Sequence, residues 1–218
     1  MKRYTHLFFD LDGTLTDSAP GVINGVRYAL ENMQLPVPDE RVLRLFVGPP
    51  LTESFHELAG VRPEEVSQAI EWFRKYYIPI GSFENCAFPG IHEVLAHLKS
   101  AGYILGVATS KLESQAFAVL ARYQLEGYFD AVAGAEDHVC DSKAAVLEKL
   151  MQRFSFTQED RSGALMIGDR KYDVIGARAV GIDCMSVGYG YAPADELDAH
   201  PADLYAATVL DIERILCV

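Results

Sequence analysis

Short runs of β-forming apolar residues recur along the chain, and longer segments with helical periodicity separate them. This alternation is typical of strand–helix–strand units, which place their strands side by side in a parallel sheet. In such a sheet the ligand crevice lies beyond the carboxyl ends of the strands. We therefore expect the polar residues that follow the strands to meet in one crevice. The predicted strands cover residues 5–9, 104–108, 131–133, 165–167 and 185–187.

One segment, from about residue 17 to residue 83, interrupts the alternation because it has helical periodicity without a convincing strand. Aromatic and aliphatic stripes at helical spacing usually face a helical core. Turn-forming residues at 16–20 and 79–82 are candidate hinges of a lid that excludes water. The predicted fold class is α/β, a Rossmann-like parallel sheet core at 1–15 and 84–218 with an inserted α-helical cap domain at 16–83. The predicted stripes are Val22, Val26, Ala29 and Leu30, and Trp72, Phe73, Tyr76 and Tyr77.

The composition argues against several classes of protein. A chain of 218 residues, of which 50% are hydrophobic, is long enough to bury a substantial core and is not disordered. Its net charge of −12 argues against a nucleic-acid polymer or a membrane as a partner, because both require clustered Lys and Arg. The first apolar run is too short for a signal peptide or a membrane span, which predicts a cytoplasmic protein. Scattered cysteines indicate neither a zinc site nor a disulfide framework; they are Cys86, Cys140, Cys184 and Cys217.

Two carboxylates, Asp10 and Asp12, follow the first predicted strand and are two residues apart. Side chains with this spacing point to the same face of a strand, and Gly13 loosens the turn that follows. Asp10 is the candidate nucleophile that attacks phosphorus. Asp12 is the candidate acid that protonates the leaving oxygen and later takes a proton from water. The alternative is that both acids only form a strand-end turn, as Asp often does.

A hydroxyl cluster follows the second predicted strand, and a lysine begins a later helix. Thr109 and Ser110 precede a helix expected near residue 113, where a hydroxyl and free backbone amides bind anions. Lys143, at the start of the amphipathic segment 144–150, has the charge to hold a phosphate and neutralise an aspartyl nucleophile. The competing interpretations are that Thr109 or Ser110 only caps the helix and that Lys143 is solvated.

A second pair of acids, Asp169 and Asp173, follows the fourth predicted strand at the start of a helix. Hard oxygen ligands in this position suit Mg²⁺. The alternative is that one acid caps the helix and the other lies in its first turn. Arg170 and Lys171, between the acids, are expected to be solvated cations at the helix start; the alternatives are that they shift the pKa values of nearby groups or contact the substrate. The order of acid pair, hydroxyl, lysine and acid pair, each at the boundary of a predicted element, favours a phosphate site over coincidence.

These motifs resemble those of the haloacid dehalogenase-like phosphatase superfamily, and the resemblance spans essentially the whole chain. The insert between the first two motifs matches the small helical cap type of that superfamily. Residues 48–51, 89–91 and 188–191 are similar to the phosphoglycolate phosphatase-like branch and its bacterial 5'-nucleotidase-like relatives. The motifs are Asp10-Leu-Asp12-Gly-Thr14, Thr109-Ser110, Lys143 and Gly168-Asp169-Arg-Lys-Tyr-Asp173.

The resemblance implies a phosphoric monoester hydrolase that acts on a small phosphorylated metabolite. Asp10 would form an aspartyl-phosphate, with Asp12 as acid and then base. Thr109 and Lys143 would bind the phosphoryl oxygens. The implied ligands of Mg²⁺ are Asp10, the carbonyl oxygen of Asp12, and Asp169, with Asp173 orienting the water shell.

Several alternatives remain open. Within the superfamily they are a 5'-nucleotidase acting on nucleoside monophosphates and a sugar-phosphate phosphatase or mutase, whereas Asp12 argues against a dehalogenase. From a different class they are a phospho-accepting switch and a silent binding scaffold with this fold. The substrate itself should be selected by cap side chains such as Arg44 and Glu53, close to a Gly-Pro turn. The predicted substrate-binding residues are Thr14, Ser110, Arg44 and Gly48.

Overall fold

The computed structural model describes residues 4–136 and 142–217. The chain divides into two compact units, one formed by Met1–Thr16 with Ala87–Val218 and the other by Asp17–Cys86. We call the first the sheet unit and the second the helical insert. Cys140 lies outside the described residues, and the cysteines that the structure does describe have free thiols: Cys86, Cys184 and Cys217.

Short strands and longer helices alternate through the sheet unit, whereas the insert is helical. The strands are β1 (His6–Phe9), β2 (Thr16–Asp17), β3 (Cys86–Ala87), β4 (Ile104–Leu112), β5 (Ala131–Ala135), β6 (Ala164–Gly168), β7 (Asp183–Val187) and β8 (Leu204–Ala206). The helices are α1 (Ala19–Asn32), α2 (Glu40–Arg44), α3 (Leu51–Ala59), α4 (Val66–Tyr77), α5 (Ile91–Ser100), α6 (Glu113–Arg122), α7 (Lys143–Arg153), α8 (Lys171–Val180), α9 (Ala194–Ala199) and α10 (Val209–Leu216). None of the helices in the described part of the chain is long and apolar enough to cross a membrane.

Six strands form one parallel sheet in the order β5-β4-β1-β6-β7-β8. The predicted α/β class and all five predicted strands are thereby confirmed. The edge strand β8 is not among the predicted strands, because its three residues, with Tyr205 57% exposed, are too few to give an alternating pattern. The short strands β2 and β3 pair separately, where the chain leaves and rejoins the sheet unit.

Strand β1 lies in the middle of the sheet, and its three apolar residues are fully buried. Leu7 and Phe9 belong to one hydrophobic cluster and Phe8 to another, as expected when both faces of a sheet are covered. The strand order reverses at β1, because β4 and β5 lie on one side of it and β6, β7 and β8 on the other. Open parallel sheets bind ligands at such a switch point, beyond the carboxyl ends of the strands. The residue that follows Phe9 is therefore at the position most favoured for chemistry.

A helical layer covers each face of the sheet. Apolar residues of α5, α6 and α10 pack in the cluster that contains Leu7 and Phe9. Apolar residues of α7 and α8 pack in the cluster that contains Phe8. Because both layers are anchored in the sheet, the first residues of α7 and α8 are held at fixed positions.

The helical insert is stabilised by aromatic packing. Phe55 lies edge-on to both Phe46 and Phe73, and Phe73 stacks on Tyr77 at 4.9 Å between ring centroids. Gly25 of α1 permits close packing, because a Cβ atom there would lie 2.8 Å from the Phe73 ring. Val22, Val26, Ala29 and Leu30 are all buried, which confirms the predicted apolar stripe of α1.

Candidate active site

Asp10 directly follows β1 and is 6% exposed. Its backbone N–H donates to the carbonyl oxygen of Ile167 in β6 (2.9 Å), so the sheet still fixes the chain at this point. One carboxylate oxygen, Oδ1, accepts from the backbone N–H of Leu11 (2.8 Å). Gly13 then turns the chain with a φ of 84°, a conformation that glycine adopts without steric cost.

Lys143 connects Asp10 to Asp173. Its Nζ lies 2.9 Å from Oδ1 of each carboxylate and donates to the carbonyl oxygen of Ala108 (3.0 Å). The lysine side chain is only 4% exposed. Its stem passes over Gly176 of α8, where a Cβ atom would lie 2.7 Å from the Lys143 Cγ. The alternative interpretation of a solvated lysine is therefore wrong.

Asp169 is held by backbone on several sides. Its Oδ2 accepts from the N–H of Tyr191 (2.8 Å). Gly13 and Gly190 leave room for the carboxylate, because a Cβ atom at either position would lie within 2.4 Å of an Asp169 side-chain atom. Oδ1 of Asp169 is buried and has no hydrogen-bond partner in the described structure.

Asp173 has two roles. Its Oδ2 accepts from the backbone N–H of Arg170, the N-cap residue of α8 (3.0 Å). Its Oδ1 faces Lys143. The fully buried side chain of Asp173 thus lies at the helix terminus, as the alternative predicted, and also contacts Lys143 in the acidic cluster.

Three carboxylates together could hold a cation. Asp10, Asp169 and Asp173 each offer an oxygen atom, and these atoms lie within 4.8 Å of one another. A compact set of hard oxygen donors suits a divalent ion of the Mg²⁺ type. The unpartnered Oδ1 of Asp169 supports this fit, because a buried carboxylate oxygen without a partner is costly.

Burial makes two of these acids, Asp10 and Asp169, reluctant to ionise. It raises the pKa of Asp10 to about 6, against the opposing effect of Lys143 and together with the Asp173 charge. Burial also raises the pKa of Asp169 well above its usual range, and the neighbouring carboxylates add to the rise. For Lys143, burial lowers the pKa, but Asp10 and Asp173 raise it more, so that the ammonium stays charged. A cation placed among the acids would relieve their repulsion.

Thr109 and Ser110 lie in a bulge of β4 and not at a helix N-terminus. Helix α6 begins only at Glu113, and its N-cap residue, Leu112, makes no side-chain cap. The capping alternative and the helix-terminus placement are therefore wrong, because the strand extends further than predicted. Binding of a phosphoryl group by Thr109 and Ser110 stays a prediction. Thr109 itself is buried, and its Oγ1 accepts from the N–H of Lys111 (3.2 Å).

The same bulge directs Lys111 at Asp12. The lysine Nζ lies 2.8 Å from Oδ2 of Asp12, and the two side chains are 7% and 15% exposed. Oδ1 of Asp12 has no hydrogen-bond partner in the described structure. The predicted catalytic residues did not include Lys111, although it lies next to Ser110 in the same motif.

The predicted substrate-binding residues lie in different parts of the chain. Thr14 is fully buried, and its carbonyl oxygen accepts from the hydroxyl of Tyr189 (2.9 Å). Ser110 is half-buried in the β4 bulge. Arg44 is an exposed residue of α2, and Gly48 has a φ of 103° in the turn before α3. The last two belong to the helical insert, and their role stays a prediction.

Arg170 is buried and ion-paired, which corrects the expectation of a solvated cation. It is 5% exposed, and its guanidinium binds the carboxylate of Glu196 at 2.8 and 3.0 Å. Glu196 also accepts from the backbone N–H of Lys171 (2.9 Å). The pair ties α9 to the start of α8. Glu196 was missed because its partner is 26 residues away in the chain.

Comparison with known proteins agrees with this geometry. Residues 7–187 match the family model described as haloacid dehalogenase-like hydrolase. The chain is 35% identical over 215 residues to a 5'-nucleotidase of Pseudomonas aeruginosa, covering 98% of this chain and 96% of the relative. It is 34% identical over 221 residues to a phosphoglycolate phosphatase of Caulobacter vibrioides, covering 94% and 88%.

A solved structure agrees with the fold along the whole chain. A predicted phosphatase from Clostridium acetobutylicum superimposes with a TM-score of 0.91 at 38% identity, covering 99% of this chain and 100% of that one. One relative has a different name. The chain is 38% identical to the tyrosine-protein kinase PtkA of Mycobacterium tuberculosis, covering 97% of this chain and 72% of the relative. The chain therefore belongs to the haloacid dehalogenase-like hydrolase family and is a phosphatase of that family.

Proposed function

We propose that this phosphatase is Mg²⁺-dependent and hydrolyses small phosphate monoesters through an aspartyl-phosphate on Asp10, with phosphoglycolate-like esters as its substrates. One observation carries the proposal. Lys143 lies 2.9 Å from both Asp10 and Asp173, in a buried cluster whose third acid, Asp169, has an unpartnered oxygen. A buried ion pair of this kind is weak evidence for stability but suits a site that binds a phosphoryl group.

The metal would be held by Asp10 and Asp169, with Asp173 positioned to orient its water shell and the carbonyl oxygen of Asp12 as a further ligand. When bound, Mg²⁺ supplies positive charge that stabilises the phosphoryl oxygens. The chain's own residues supply the remaining interactions. Lys143 keeps Asp10 ionised and oriented, and Thr109 would donate its hydroxyl to a phosphoryl oxygen.

The proposed reaction has two displacements at phosphorus. In the first, an oxygen of Asp10 attacks in line, the ester bond to the alcohol breaks, and Asp12 gives its proton to the leaving oxygen. In the second, Asp12 takes a proton from water as that water attacks the aspartyl-phosphate, which releases phosphate and restores Asp10. Because Asp12 returns to its starting state, the cycle repeats.

The names of two relatives suggest different substrates: phosphoglycolate for the phosphoglycolate phosphatase and a nucleoside monophosphate for the 5'-nucleotidase. We favour the former, and keep nucleoside monophosphates and sugar phosphates as the alternatives. The net charge of −12 favours a small metabolite over a nucleic-acid polymer as the partner.

Phosphate release from a substrate panel tests this proposal. The panel contains phosphoglycolate, nucleoside monophosphates and sugar phosphates, each with Mg²⁺ and with a chelator. We expect multiple turnovers that need Mg²⁺ and that fall by roughly four to six orders of magnitude in Asp10→Asn. Asp198→Asn, the same chemical change at an exposed position of α9, is the control and should keep its activity. Release of a single equivalent would indicate a phospho-accepting switch, and no release would indicate a binding scaffold.

A further inference from the structure

The bulge of β4 brings Lys111 to the site. Strands β4 and β5 pair residue for residue up to Ala108 with Ala133 and then resume at Leu112 with Ala135. Residues 109–111 of β4 therefore lie opposite Gly134 alone. Bulges next to active sites re-aim side chains, and this one directs Lys111 at Asp12, which follows β1.

Neighbouring residues hold the bulge in place. A Cβ atom at Gly134 would lie 2.6 Å from Cα of Glu113 and 2.7 Å from the carbonyl oxygen of Lys111, so only glycine fits opposite the bulge. The Glu113 carboxylate accepts from the N–H of Gly134 (3.1 Å). It also pairs with Lys149 (3.1 Å) and Arg153 (2.9 Å) of α7. The backbone that carries Lys111 is thus fixed from both sides.

Lys111 is a second cation with a largely buried side chain, and it pairs with the proposed acid–base residue. Lys143 already neutralises Asp10, whereas Lys111 contacts Asp12 at 2.8 Å. In the proposed reaction Asp12 must touch the ester oxygen that leaves with the alcohol. The ammonium of Lys111 therefore contacts Asp12, the residue that would contact the leaving alcohol.

We propose that Lys111 determines specificity by binding a second negative charge, a carboxylate, carried by the alcohol part of the substrate close to the ester oxygen. The inference rests on the proposed function and narrows its substrate class. In the phosphate ester of a two-carbon hydroxy acid, the carboxylate is attached directly to the carbon that bears the ester oxygen. The alcohol part of a nucleoside monophosphate is neutral and offers Lys111 no charge. Lys111 thus favours a phosphorylated hydroxy acid over a nucleotide.

A matched pair of substrates tests the role of Lys111. Phosphoglycolate carries the carboxylate, and 2-hydroxyethyl phosphate replaces it with a neutral hydroxymethyl group. Steady-state kcat/KM is measured for both with Mg²⁺, in the wild type, in Lys111→Met and in Lys111→Arg. The quantity of interest is the ratio of the two kcat/KM values, because any general loss of activity in a variant cancels from it.

We expect the wild type to favour phosphoglycolate by about 10- to 100-fold, the range for one charge-assisted hydrogen bond. In Lys111→Met the ratio should fall to about one, mainly through a higher KM for phosphoglycolate. In Lys111→Arg the preference should remain, because the cation is kept. A wild-type ratio near one would overturn the inference without any variant, and so would an undiminished ratio in Lys111→Met.

The same assay separates failure of this inference from failure of the proposed function. p-Nitrophenyl phosphate is included as an ester whose alcohol part carries no carboxylate. Turnover of all three esters without a preference for phosphoglycolate over 2-hydroxyethyl phosphate would leave the phosphatase mechanism standing and contradict only the role of Lys111. No turnover of any of them would contradict the proposed function itself. Thermal melting of each variant identifies any variant that has not folded. In that case the kcat/KM ratio of the wild type alone tests the role of Lys111.

Discussion

The sheet unit and the helical insert bury different kinds of side chain. Among its described residues, the sheet unit buries five charged side chains, each at most 6% exposed: Asp10, Lys143, Asp169, Arg170 and Asp173. The insert, residues 17–86, is described throughout, and its buried polar side chains are the serines Ser18, Ser54 and Ser82. Charges are costly to bury unless they are paired. We therefore expect the reaction chemistry in the sheet unit, and we expect substitutions of buried residues in the insert to act through packing.

The largest effect is expected at Lys143. Lys143→Met leaves Asp10 and Asp173 buried without their cation, and breaking a buried pair from one side costs about 3–5 kcal/mol of stability. Loss of the positive charge from the phosphoryl site should also lower kcat by at least about 100-fold. Denaturant unfolding and steady-state kinetics measure the two effects.

The matched control for that variant is Lys75→Met in the insert. Lys75 is exposed and lies 3.8 Å from the centroid of the Trp72 ring, a contact worth about 0.5–1 kcal/mol. Equal losses of stability in the two variants would break the distinction between the units.

The next effect concerns packing in the insert. Phe55 is fully buried between Phe46 and Phe73, so Phe55→Ala should lower the stability of the insert by about 3–5 kcal/mol. Because Phe55 lies outside the acidic cluster, we expect the affinity for Mg²⁺ to remain within about twofold of the wild type. Calorimetric titration with Mg²⁺ below the melting transition gives the affinity. A large loss of Mg²⁺ affinity would show that the insert contributes to the metal site.

A smaller effect is expected when a side chain is added at Gly190, next to the carboxylate of Asp169. A Cβ atom there would lie 2.2 Å from Cβ of Asp169, so Gly190→Ala forces the carboxylate or the loop to move, at about 1–3 kcal/mol. We expect weaker Mg²⁺ binding, whereas Gly60→Ala in the insert, with open space around its Cβ, should leave Mg²⁺ binding unchanged. Unaltered Mg²⁺ affinity in Gly190→Ala would mean that Asp169 does not ligate the ion.

The pH dependence of Mg²⁺ binding is the smallest expected effect. Burial raises the pKa of Asp10 to about 6, so this carboxyl is protonated below pH 6 and ionised above it. Mg²⁺ requires the ionised form, and its affinity should fall by up to about tenfold per pH unit as the pH drops below 6. Titrations between pH 5 and 8 measure the change, and proton release on binding should be detectable near pH 6. A flat profile across that range would contradict the raised pKa.

The proximity of Asp10, Lys143, Asp169 and Asp173 could be predicted from the sequence, because each follows a buried strand or lies in the first turn of a helix. Parallel topology brings such positions together regardless of their separation in the chain. The orientation of Lys111 could not be predicted in this way, because it depends on Gly134 in another strand. The burial of Arg170 depends in turn on Glu196 in a later helix. Roles for Arg44 and Gly48 stay predictions, because helical periodicity identifies buried faces and not ligand contacts.

Identification of the phosphorylated residue tests the central claim most directly. The enzyme is mixed with phosphoglycolate and Mg²⁺, quenched in acid within the first turnover, and treated with borohydride, which reduces an aspartyl-phosphate to homoserine. Peptide mass spectrometry then locates the modified position. We predict homoserine at residue 10 and at no other aspartate, and none in Asp10→Asn. Phosphate release from an enzyme in which residue 10 is never modified would contradict the account.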